Sequence, residues 1–274
     1  MSKVFALIQG RMESERAPGK SCAELGGKPI FVHIAERIQQ VLPDAMIVIH
    51  TPANLINDPI AMLGRAYSYE VFRFYDECLH GMLRAHRACL YYDLQPDDII
   101  VWGFAESPCI YTKLAPFIVK KMQETGCDRF WWGENPTQML IWGVAWTHVQ
   151  SYRGFLKNIE EMKETDLEGV GWTPLSGEYR LLAPIPEYLK QSWPWRPLYM
   201  DYPEQVSQAK IIYNRLYKGA PLDIFDVYKL LQDEPAIAHM TATCPRDTGY
   251  GKHLDWFWKA LRGQPHERFE LPEL

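Results

Sequence analysis

Two patterns of apolar residues alternate along the first half of the chain. Short unbroken runs, at Val4–Gln9, Ala45–His50 and Asp98–Trp102, have the length and composition of strands covered on both faces. Between them apolar residues return at helical spacing. Phe31, Ile34, Ile38 and Val41 follow Pro29, and shorter helical stretches are predicted at Asp58–Leu63, Met82–Leu90 and Lys113–Gln123. Glu70–Phe74 reads as one more strand. This alternation predicts an α/β fold with a mostly parallel sheet flanked by helices. In such sheets ligands bind beyond the carboxyl ends of the strands. The positions of interest are therefore Gly10 to Lys20, the residues after His50, and Phe104 to Pro108.

The second half has a different texture. Arg129–Trp132 and Met139–Trp146 read as strands, and Leu175 to Pro197 is rich in proline and aromatics with little periodicity. Helices are predicted from Pro203 to about Lys218 and from Ile224 to Gln232. Beyond Thr241, glycine, proline and charge surround the cluster Trp256-Phe257-Trp258. The expected organisation is one domain over residues 1–240 and a C-terminal extension over 241–274.

Composition narrows the function classes. With 47% hydrophobic and 23% charged residues, the 274-residue chain can build a real core. Its net charge of -5 argues against a nucleic-acid partner, which calls for a basic surface. Six cysteines show neither C-x-x-C pairing nor zinc-finger spacing, and read as free thiols in a reducing compartment. No stretch approaches the ~20 apolar residues of a membrane span. A cytoplasmic protein without a membrane partner is expected.

The strongest chemical signal lies directly after the first strand. Arg11, Arg16 and Lys20 put three cations within ten residues. Such a loop can wrap a polyphosphate, since arginine forks and backbone N–H groups meet its oxygens. The Walker A spacing is absent, because Gly10 and Gly19 are too far apart. Taken alone, the same cluster also fits a solvated surface loop.

The wording of the loop goes further. Gln9-Gly10-Arg11, Ser14, Arg16 and Pro18-Gly19-Lys20, followed by Gly26-Gly27-Lys28-Pro29-Ile30, resemble the opening of sugar nucleotidyltransferases of the cytidylyltransferase family. The resemblance is nearest to the spore coat polysaccharide biosynthesis type. CMP-Kdo synthetase and acylneuraminate cytidylyltransferase are more distant. Asp58-Pro59-Ile60-Ala61, Glu70-Val71-Phe72-Arg73 and Met200-Asp201-Tyr202-Pro203-Glu204 extend it over roughly residues 3 to 237. It implies a nucleotide-diphospho-sugar transferase fold, glycosyltransferase-A-like, and Mg²⁺-dependent transfer of NMP from an NTP to a sugar or sugar acid with release of pyrophosphate. CTP is the expected donor, and a homodimer is common among such relatives. Gln9, Gly10, Arg11, Arg16, Lys20 and Arg73 would line the nucleotide, with Arg11, Arg16 and Lys20 also acting on the departing pyrophosphate.

Two carboxylates, Glu106 and Asp201, stand where this fold would hold Mg²⁺. Each also has a plainer reading, Glu106 as a solvated strand-end acid and Asp201 as a helix-capping acid before Pro203. The family carries Asp in G-D-x-P where this chain has Ala105-Glu106-Ser107-Pro108. The additional methylene shifts the oxygens by about 1.5 Å, and a displacement of ~1 Å can cost ~100-fold in a reacting geometry. A second departure puts Gly81 where the family has an acid before a helix. Trp131, Trp132, Trp142, Trp146 and Trp172 suit either a core or a sugar-stacking surface. Glu134, Asn135, Gln138 and His148 are candidate acceptor contacts. Two further functions stay open, a glycosyltransferase of the same fold that uses a nucleotide sugar, and a non-catalytic nucleotide-binding relative.

Overall fold

The computed structural model describes residues 2–75, 81–136, 139–165, 177–245 and 266–274. Gln138, Trp172, the Trp256–Trp258 cluster and the segment after Tyr75 lie outside them. Eight strands form one sheet in the order β10-β9-β7-β8-β6-β1-β4-β5. The strands are β1 (Val4–Gln9), β4 (Met46–Pro52), β5 (Glu70–Phe74), β6 (Ile99–Phe104), β7 (Arg129–Trp132), β8 (His148–Ser151), β9 (Arg180–Ala183) and β10 (His266–Arg268). A small hairpin pairs β2 (Glu24–Leu25) with β3 (Lys28–Pro29). All pairings in the large sheet are parallel except those of β8 with β6 and β7.

Helices cover both faces, and β1 shows how the sequence arranges this. Successive side chains of a strand point to opposite faces. Ala6 and Ile8 join the core beneath α1 (Ile30–Val41), α2 (Asp58–Ala66), α4 (Ala115–Thr125), α7 (Pro203–Leu216) and α8 (Ile224–Asp233). Phe5 and Leu7 join a second core under α3 (Gly81–Tyr91) and α6 (Tyr152–Thr165). An unbroken apolar run is what a strand buried on both faces requires. Two short helices, α5 (Leu140–Val144) and α9 (Pro235–His239), complete the set. Among the described residues, no helix is long and apolar enough to cross a membrane.

The expected α/β fold is present, with two local corrections. Met139–Trp146 is not a strand: Leu140–Val144 form α5, and Met139 and Trp146 make only isolated bridges, to Ser192 and Tyr111. A short apolar run carries no period, so strand and helix cannot be told apart from it. Within Leu175–Pro197, read as aperiodic, Arg180–Ala183 forms the fully buried β9. Its four residues are too few to establish an alternation. The end of the chain also enters the sheet, as β10 pairs with β9 and Phe269 packs edge-on against Phe130 at 6.3 Å.

Candidate functional site

The parallel strands β1 and β6 end level with one another, and β4 between β1 and β5 runs two residues further. Gln9 is in register with His50 on one side and with Phe104 on the other. The amide of Gly10 donates to His50 O at 3.2 Å, and that of Ala105 donates to Gln9 O at 3.1 Å. The basic loop and the Glu106 turn therefore leave the sheet side by side.

Polar contacts fold the basic loop into a closed turn. Gly19 N donates to Met12 O at 2.8 Å, and Gly19 takes a left-handed φ of 75°, which glycine adopts without steric cost. Ser21 Oγ donates to Arg11 O at 3.0 Å. Met12 N donates to Asn57 Oδ1, while the Glu13 carboxylate accepts from Asn54 and Asn57 at 2.5 and 2.6 Å. The acids and amides of this segment thus brace the loop from behind, and its cations face the strand ends.

Those cations meet both carboxylates. Lys20 Nζ lies 2.8 Å from Asp201 Oδ1 and 3.9 Å from Glu106 Oε2. Arg16 Nη2 approaches the same Asp201 oxygen at 3.0 Å, and its guanidinium lies over the Tyr202 ring, 5.2 Å from the centroid. Arg11 acts on Glu106 through its charge. Burial raises the Glu106 carboxyl above its ordinary range; Lys20 opposes the shift and Asp201 adds to it. Four of the residues singled out in the sequence therefore form one cluster: Arg16, Lys20, Glu106 and Asp201.

Asp201 does not cap α7. Tyr202 holds the N-cap position, and no side chain bonds the helix end from there. Gln205 takes over the local bonding. Its Oε1 accepts from the amides of Asp201 and Tyr202 at 2.9 and 3.0 Å. A further backbone bond, Met200 N to Glu106 O at 2.8 Å, sets the two acid-bearing segments next to each other. Gln205 escaped sequence reasoning. The one available signal was a polar residue on the buried stripe of α7, which runs through Gln205, Gln208, Ala209, Ile212 and Tyr213.

The remaining candidates lie at the margin. Arg73 pairs with Asp58 at 2.7 Å and donates to Asn54 O, so it touches the segment that braces Glu13 rather than the carboxylate pair. Gln9 ends β1, and its side-chain amide packs so closely on Gly81 that a Cβ there would collide with it. Glu134 accepts from Ile185 N and pairs with Lys190. Trp131 and Trp132 are buried in β7, whereas Trp142, Trp146 and His148 are half-buried. Five of the cysteines are free thiols, and Cys78 is outside the described residues.

Chemically, the cluster combines two hard oxygen ligands with cations suited to phosphate. Among the described residues no group of three or more His, Cys, Asp or Glu gathers. A metal here would complete its coordination with water and phosphate oxygens, which is the habit of Mg²⁺.

Comparison with known proteins bears on the family and the fold. A cytidylyltransferase family model matches residues 5–152. A 3-deoxy-manno-octulosonate cytidylyltransferase of Aeromonas salmonicida (strain A449) is 27% identical over 118 residues, 43% of this chain and 44% of that protein. The same enzyme of Bartonella bacilliformis is 34% identical over 86 residues, 31% and 33% of the two chains. This chain thus spans less than half the length of these curated relatives. The solved structure of a cytidylyltransferase from Leptospira borgpetersenii superposes with a TM-score of 0.66 at 18% identity, covering 87% of this chain and 97% of that one, which shows a common fold. With a family model matching more than half of its length, beginning inside β1 and taking in the basic loop and Glu106, the chain belongs to the cytidylyltransferase family.

Proposed function

We propose that this protein is a Mg²⁺-dependent nucleotidyltransferase that moves CMP from CTP to a sugar acid or sugar, releasing pyrophosphate. The observation that carries the reading is the convergence of Lys20 and Arg16 with Glu106 and Asp201 at the carboxyl edge of the sheet. Arg11, Arg16 and Lys20 hold the triphosphate. Glu106 and Asp201 would hold Mg²⁺, which when bound neutralises phosphate charge and polarises the P–O bond. The acceptor hydroxyl attacks the α-phosphorus in line. A new P–O bond forms, the bond to the bridging oxygen of the β-phosphate breaks, and the hydroxyl proton passes to solvent. Charge on the departing pyrophosphate falls against the three basic side chains.

CTP and a sugar acid are supported by the family and by the 3-deoxy-manno-octulosonate enzymes it resembles. The loop motif itself lies nearest the spore coat polysaccharide type. Both point to nucleotide-sugar synthesis. Pyrophosphate release is the test, assayed with each of the four NTPs against 3-deoxy-manno-octulosonate and a panel of sugars and sugar acids. Release that requires CTP and an acceptor supports the proposal. Consumption of a nucleotide sugar without pyrophosphate would instead establish the glycosyltransferase reading, which the aromatic residues near the site favour.

A further inference from the structure

Beside the carboxylate pair runs a ladder of half-buried rings. Phe104 ends β6, two residues before Glu106. Its ring meets His148 edge-on at 6.1 Å, His148 meets Trp146 at 5.1 Å, and Trp146 meets Trp142 at 5.7 Å. The ladder is coupled to the site through two backbone bonds and one side-chain bond. Leu198 N donates to Gly143 O at 2.7 Å, Tyr199 Oη donates to Trp142 O at 3.1 Å, and Met200 N donates to Glu106 O at 2.8 Å. Three consecutive residues thus tie the tryptophan turn to Glu106, and the next residue is Asp201.

The turn that carries the two tryptophans is strained. Ala145 has φ 66° and ψ 164°, a region that only glycine visits freely. Tyr111 N donates to Ala145 O at 3.0 Å and Thr147 N donates to Tyr111 O at 3.2 Å, pinning the strained residue from both sides. Strain of this kind persists where the surroundings impose it, and it gathers at ligand sites. Here it turns the chain between Trp142 and Trp146, whose rings both stay half-buried, with part of each open to solvent.

Resting on the nucleotidyltransferase reading, we propose that Trp142 and Trp146 form the platform for the acceptor, a pyranose whose apolar C–H face stacks on the indoles while its reacting hydroxyl reaches toward Glu106 and Asp201. One face of a pyranose presents C–H groups and its edge presents hydroxyls. An aromatic surface beside two carboxylates matches both parts. Stacking selects the face of the ring, and the tether through residues 198–200 sets its distance from the phosphorus.

The test uses saturation-transfer NMR on the full-length protein, with 3-deoxy-manno-octulosonate and methyl mannopyranoside as probes, and steady-state kinetics in parallel. In the wild type, ring C–H protons of at least one probe should receive saturation. Trp142→Ala and Trp146→Ala should weaken sugar binding by about three- to tenfold and raise the acceptor KM to match, with the CTP KM unchanged. Trp146→Phe, which keeps a ring in place, should retain most of the effect and guards against loss of fold. Unchanged saturation in both alanine variants overturns the platform, as does its absence from the wild type. If the wild type binds the sugar through these rings yet releases no pyrophosphate with any NTP, the function reading fails and the platform stands.

Discussion

Lys20 Nζ sits 2.8 Å from Asp201 Oδ1, although 181 residues separate the two along the chain. Their side chains are only 11% and 15% exposed, so the pair is shielded from solvent and the contact is worth more than a surface ion pair. Arg16 shares the same oxygen. Two of the three cations that would hold a triphosphate are thus held in turn by a carboxylate that would bind its metal.

Replacing Lys20 with methionine keeps the length of the side chain and removes its charge. Losing a charge-assisted bond to phosphate costs about 1.5–3 kcal/mol, or roughly ten- to a hundredfold in affinity. Calorimetric titration of Lys20→Met with CTP and Mg²⁺ should show that loss. An affinity equal to the wild type would remove Lys20 from the nucleotide site.

Glu106 stands where the motif it resembles carries Asp, and its extra methylene sets the oxygens about 1.5 Å further from the backbone. Glu106→Asp should leave the fold intact and alter turnover, raising pyrophosphate release if the native spacing is suboptimal for the metal. Glu106→Gln should depress turnover about a hundredfold or more, since a neutral amide replaces one of the two carboxylates proposed to hold the metal. Pyrophosphate assays on both variants decide the point, and full activity in Glu106→Gln contradicts a metal-binding role.

Gln205 Oε1 holds the backbone of Asp201 and Tyr202 through one amide hydrogen bond from each, each worth about 0.5–1.5 kcal/mol. Gln205→Leu removes the acceptor and loosens the backbone that carries the Asp201 carboxylate. Binding of Mn²⁺, followed by electron paramagnetic resonance in the presence of CTP, should weaken in this variant. Gln205→Glu, which retains an acceptor oxygen, should restore it. Equal weakening in both variants would show that the amide matters for another reason.

Burial of histidines, His33, His50 and His148 among them, sets an acid limit on stability. Burial, reinforced by the charge of Arg129, pushes His148 down to about 3. Burial, with the charge of Arg84, holds His50 well below its ordinary range. Below pH ~6.5 the unfolded chain takes up these protons while the folded protein refuses them, so stability falls with pH across that window. Each histidine contributes a slope of up to about 1.4 kcal/mol per pH unit. Urea unfolding of His148→Gln between pH 5 and 6.5 should show a flatter dependence than the wild type; an identical slope would mean that His148 is protonated in the fold.

The sequence by itself determined the strands and helices of the first half and the residues that gather at their ends. Val4–Gln9 had to be a doubly covered strand because each of its residues is apolar or turned toward a level strand end. Gly19 and Lys20 carried a recognisable wording because loop geometry and charge are local properties. What the sequence left open was decided by packing. Met139–Trp146 could have been strand or helix, since burial on all sides erases the period that tells them apart. The resemblance groups Arg73 with the nucleotide residues, and only the fold shows that it pairs with Asp58. The meeting of Lys20 with Asp201, and of the tryptophan turn with Glu106, appears in no local pattern. Both depend on where residues 198–201 cross the carboxyl edge of the sheet, a crossing fixed by the backbone bonds of Leu198 to Gly143 and Met200 to Glu106. Hydrogen bonds between distant amides and carbonyls carry no side-chain signature, so only the tertiary structure could assemble them.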